Sequence, residues 1–161
     1  MRIVGIDPGL KATGYGFIET HNQSIKLLET GTIEPNTKEI FPNRIHKIFC
    51  VLDSLIDQYQ PDVLVLEKLY AHTNHPVTAS ILGHVRGVIC LLCGQKKLKF
   101  IEYSVKRIRK AVTGNGNAGK LQTQQVVLHL LNISKQKMAL DASDALALAV
   151  GYTRIHSREF L

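Results

Sequence analysis

The chain has 161 residues, 45% hydrophobic and 20% charged, with 20 Lys and Arg against 13 Asp and Glu. That is ordinary for a soluble globular protein, and the length fits one domain over residues 1–161 with a real core. No apolar run reaches the ~18 residues of a membrane span, and Asp7 and Pro8 interrupt the start too early for a signal peptide, so a cytoplasmic protein with no membrane partner is expected.

The first stretch is MRIVGIDPGLKATGYGFIE. Residues 2–6 are apolar on both sides, as a central strand would be, and the run ends at Asp7 before a Pro8-Gly9 break. Residues 14–19 and 25–33 follow as strands two and three around an Asn22-Gln23 turn. From 41 to 59, apolar residues recur at Ile45, Ile48, Phe49, Leu52, Leu55 and Ile56. That is helical spacing, with Pro42 tolerated in the first turn. Pro61-Asp62 ends it, and VLVL at 63–66 predicts another buried strand running out at Glu67. KLYAHTNHP at 68–76 is a polar loop, in which His72 and His75 read as solvated.

Residues 77–93 predict a strongly apolar helix whose Gly83 and Gly87 weaken it but allow something to pack closely. Residues 99–102 form a short strand, and Ser104 caps the helix that follows. Gly114-Asn115-Gly116-Asn117 breaks that helix, another runs over 118–131, and the last runs from about 141 to about 157. The order β-β-β-α-β-α-β-α-α-α predicts an α/β fold: a five-stranded mixed sheet flanked by helices on both faces.

Cys50, Cys90 and Cys93 are an odd count, which argues against a disulfide framework. The C-x-x-C within GVICLLCG lacks a second ligand pair and reads as small apolar residues in a buried helix. Charge is more telling. Between Glu102 and Asp141 there is no acid, while Lys106, Arg107, Arg109, Lys110, Lys120, Lys135 and Lys137 supply the whole net charge of +7. A localised excess of this kind suits a polyanion such as nucleic acid, although a solvated basic face has the same composition.

Two buried-type strands end in acids, Asp7 and Glu67. In open α/β sheets ligands bind beyond the carboxyl ends of strands, so two parallel central strands would bring these acids side by side. The last helix adds LDASDALALAV, with Asp141 and Asp144 on one face and small neighbours that permit close approach. Singly, each acid has a plainer reading: Asp7 as a turn residue, Glu67 as a surface acid, Asp141 as a helix cap, Asp144 as a partner of the helix dipole. Together they would repel, at ~4 kcal/mol per pair ~4 Å apart for an effective dielectric of 20, unless a cation neutralises them. An all-carboxylate set favours Mg²⁺ or Mn²⁺, and two such ions serve phosphodiester cleavage.

GIDPGLKATGYG, VLVLEKLY, GHVRG, GNGNAGK and DASDALALA, in this order, resemble the RuvC family of bacterial Holliday junction resolvases over nearly the whole chain. The resemblance implies a ribonuclease H-like fold and a homodimeric, Mg²⁺-dependent endonuclease, with two ions per active site and Mn²⁺ as a substitute. It would make paired, symmetric nicks in four-way DNA junctions during recombination and repair, with the RuvAB branch-migration complex as partner. It also implies that Asp7, Glu67, Asp141 and Asp144 are the metal-binding catalytic acids. Tyr70 falls at an aromatic position that stacks on junction bases, and Lys120 at a basic position on DNA. Arg109 stands where a Lys is common, with Lys106 and Lys110 beside it as further DNA-binding cations. The 77–93 helix is the expected dimer face. The alternative reading is a ribonuclease H-like nuclease acting on structured RNA such as ribosomal RNA precursor. A sugar-kinase or actin-like ATPase would need a second Gly-rich phosphate loop, which the chain lacks.

Overall fold

The computed structural model describes residues 1–9, 11–22, 24–68, 76–133 and 138–157. Its elements are β1 (Arg2–Asp7), β2 (Thr13–His21), β3 (Ser24–Ile33), α1 (Phe41–Tyr59), β4 (Val63–Glu67), α2 (Pro76–Gln95), β5 (Lys99–Tyr103), α3 (Val105–Thr113), α4 (Lys120–Leu130) and α5 (Leu140–Ile155). This is the order the periodicities predict. The strands lie β3-β2-β1-β4-β5, so β1 is central. It runs antiparallel to β2 and parallel to β4, which in turn is parallel to β5.

Apolar residues on both sides of β1 and β4 require cover on both faces. Ile3, Val63 and Val65 join a core completed by α3, α4 and α5. Val4, Ile6, Leu64 and Leu66 join a second core under α1 and α2. Alternation then dictates the direction of the strand-end acids: Asp7 follows Ile3 and Gly5, and Glu67 follows Val63 and Val65, so both belong to the α5 face.

Helix α5 is buried almost all round and seats directly on the sheet. A Cβ on Gly5 would lie 2.0 Å from the Ala145 carbonyl oxygen, and one on Gly14 would lie 2.0 Å from that of Asp141. Only glycine admits so close a backbone approach.

Ser104 caps α3 as predicted, accepting from the Arg107 N–H at 3.3 Å, and Gly114 ends that helix at φ 81°. Helix α1 ends at Gln60 in the left-handed region, φ 46°. Three expectations need correction. Cys93 is buried, but Cys90 is exposed, because α2 presents only the stripe of Val85, Ile89, Leu92 and Cys93 to the sheet. Helix α5 begins one residue early with Ala139 at its N-cap, which puts Asp141 inside the first turn and free to face the site. Finally, Val77–Gln95 is long and apolar enough, by length and composition, to cross a membrane. In this fold its Ile89 and Leu92 are fully buried in the second core. Its Gly83, Gly87 and Gly94 face open space, and no described part of the chain packs on them.

Candidate active site

The register of β1 and β4, Ile6 opposite Leu66, sets Asp7 and Glu67 next to one another at the carboxyl ends of adjacent parallel strands. The seat of α5 on Gly14 brings the first turn of that helix over the same spot. Carboxylate oxygens of Asp7, Asp141 and Asp144 all lie within 4.8 Å of one another. Glu67 stands outside that trio but lines the same cleft of about 200 Å³ with Asp7 and Asp144. Four acids thus converge as expected, in a three-plus-one arrangement.

Burial and crowding show in the protonation of Asp7 and Glu67. The Asp7 carboxyl is raised from 3.8 to about 7, first by burial, then by the charges of Glu67 and Asp144. Glu67 is raised as well, by burial and then by Asp144. Lys120, the first residue of α4, answers part of this charge: its Nζ meets Asp144 Oδ2 at 2.6 Å, which raises its own pKa. The ammonium is a cation where the acids demand one. The donor set, all carboxylate oxygen with no His or Cys among the described residues of the cluster, fits a hard divalent ion.

The basic segment divides by helix rotation. Arg109 lies on the inner side of α3 with Ile108 and Val105 and lines the cleft. Lys106 and Lys110 are exposed and flank the turn at Gly116 instead. Tyr70, His72, His75, Lys135 and Lys137 lie outside the described residues. Two groups near the acids carried no sequence signal strong enough to name them. Thr123, buried on α4, lines the cleft and donates to the Gly119 carbonyl at 3.0 Å. Arg86 of α2 donates to the Glu67 main-chain carbonyl and to the Glu102 carboxylate. Its clue was a lone cation in an apolar helix.

Residues 3–152 match the family described as Crossover junction endodeoxyribonuclease RuvC. A protein of that name from Alkaliphilus metalliredigens is 38% identical over 160 residues, covering 99% of this chain and 96% of its own. Its counterpart in Caldicellulosiruptor saccharolyticus is 40% identical over 151 residues, with 93% and 90% covered. Among solved structures, T. thermophilus RuvC in complex with Holliday junction substrate superposes with a TM-score of 0.87 at 18% identity, covering 99% of this chain and 96% of that one. The fowlpox virus Holliday junction resolvase superposes at 0.61 and 20% identity, covering 96% and 99%. These two structures share the fold, the ribonuclease H-like sheet with helices on both faces. Relatives this similar from end to end, and a family match across nearly the whole sequence, make the chain a member of the RuvC family of crossover junction endodeoxyribonucleases.

Proposed function

We propose that this chain resolves Holliday junctions in recombination and repair, cutting two symmetry-related DNA strands by metal-dependent hydrolysis. The observation that carries the reading is the trio of carboxylate oxygens within 4.8 Å at the end of the central strand, with Lys120 and Arg109 on the same cleft. Asp7, Asp141, Asp144 and Glu67 hold Mg²⁺, with Mn²⁺ as a substitute, through oxygen alone. A bound divalent ion supplies Lewis acidity to the scissile phosphate and its attacking water. Asp7 must first give up the proton that burial favours. Lys120 exchanges Asp144 for a backbone phosphate, and Arg109 holds the same strand with a planar fork. Lys106 and Lys110, on the outer side of α3, take phosphates further along the arm. Tyr70 stacks on a base near the crossover.

A four-way junction has approximate two-fold symmetry, which a symmetric homodimer matches with one site per cut strand. Support for α2 as the contact face comes from its exposed Val77 (70%) and Leu91 (58%) and a shallow groove along Gly83, Gly87 and Leu91. Family membership supports the RuvAB complex as a partner and a cytoplasmic setting. The matched relatives do not favour the structured-RNA alternative.

The test is a synthetic four-way DNA junction incubated with Mg²⁺ or EDTA, with the cuts mapped. Paired cuts at symmetric positions are expected with Mg²⁺ alone. Asp7→Asn should bind the junction yet lose at least about a hundredfold in cleavage, since even outer-sphere changes at metal sites cost ~10–100-fold. Undiminished cutting by that variant, or preference for structured RNA, would sink the assignment.

A further inference from the structure

Arg86 is the one Lys or Arg between Val77 and Gln95. Its side chain is only 12% exposed. A buried guanidinium is costly, and an apolar residue would serve the packing of α2 at least as well. What it touches is specific. Helix α2 covers the face of the sheet opposite α5, so the guanidinium reaches the strand ends from behind the acids. One nitrogen, Nη1, donates to the main-chain carbonyl of Glu67, and Nη2 donates to Oε1 of Glu102. Leu66 pairs with Glu102 and Glu67 with Tyr103 across β4 and β5, so one planar fork spans the ends of both strands. The Lys68 N–H donates to the Tyr103 carbonyl at 2.8 Å and closes the same corner.

We infer that Arg86 is a positioning residue for Glu67: it grips from the rear the peptide whose side chain enters the cleft on the front. Nη1 holds the Glu67 carbonyl while Nη2 anchors the same rigid plane on the Glu102 carboxylate, so that carbonyl is tied to β5 through two fixed arms, which a compact ammonium would not do as rigidly. The inference rests on Glu67 being a metal ligand, and the experiment separates the two ideas.

Arg86→Gln, Arg86→Lys, Arg86→Gln with Glu102→Gln, and Glu67→Gln are compared with the parent. Each is checked for fold by circular dichroism. Mn²⁺ affinity is titrated without DNA, and the Mg²⁺ midpoint for junction cleavage and junction affinity in EDTA are measured. Arg86→Gln should weaken Mn²⁺ binding and raise the Mg²⁺ midpoint by about tenfold, the size of effect known for groups that orient metal ligands. Cleavage at saturating Mg²⁺ and junction affinity should stay close to the parent. Arg86→Lys should recover part of the loss. The double variant removes the stranded Glu102 charge and should remain impaired. Metal affinity equal to the parent in Arg86→Gln, full recovery in the double variant, or a parallel loss of junction affinity would each overturn the inference. If Glu67→Gln alone behaves like the parent, the metal role of Glu67 is what fails.

Discussion

Asp7 titrates where physiology operates. Its carboxyl sits at about 7 in the folded chain against an ordinary 3.8, with burial the first cause and the neighbouring acids the second. The folded protein therefore holds this proton more tightly than the unfolded chain. The stability it contributes is complete below about pH 4 and is lost as pH rises through about 7, by at most about 4 kcal/mol for a shift of roughly three units. Thermal melts in EDTA should show Asp7→Asn more stable than the parent near pH 8, with the difference vanishing toward pH 4. With Asp7 as the metal ligand proposed above, divalent binding would compete for the same carboxylate. Mn²⁺ affinity should climb up to about tenfold per pH unit below pH 7 and flatten above it, as followed by titration without DNA. A flat profile would mean that Asp7 is not the ligand whose proton is displaced.

At the scale of elements, the seat of α5 decides whether the acids meet. The spacing of Asp141 and Asp144 made a shared helical face legible, and the small residues around them made close packing legible. What those residues pack against was not, because Gly5, Gly14 and Gly16 are remote in sequence and read locally only as weak strand positions. Gly14→Ala would drive a Cβ into the Asp141 carbonyl, and neither backbone can give way. A loss of about 2–3 kcal/mol in denaturation is expected, together with a raised Mg²⁺ requirement as Asp141 is displaced. The basic stretch shows the same limit. Its composition announced a polyanion partner, but the rotation of α3 turns Arg109 to the cleft and leaves Lys106 and Lys110 on the outside. Arg109→Ala and Lys120→Ala should each lower the log–log salt slope of junction binding by ~0.9 if each neutralises one phosphate on a duplex arm. An unchanged slope would remove that residue from the interface.

For the whole molecule, α2 carries exposed apolar side chains, Val77 and Leu91, that no described residue buries. It is apolar on faces that the second core does not use, and its glycines meet nothing among the described residues. If α2 is the dimer face proposed above, Leu91→Glu should shift sedimentation toward monomer and replace paired cuts with single nicks. A parent chain that stays monomeric with and without junction would remove the symmetric mechanism. Element order and the acids at the ends of β1 and β4 were legible in the sequence alone, and element ends to within one or two residues, since periodicity, caps and breakers act within a turn or a strand. Family motifs carried the remaining site assignments. Only the tertiary structure placed β1 between β2 and β4, set Glu67 apart from the trio, put Lys120 on Asp144 and Arg86 behind Glu67. Strand pairing and helix rotation depend on burial shared among segments far apart in the chain, and no local pattern encodes which partners those segments find.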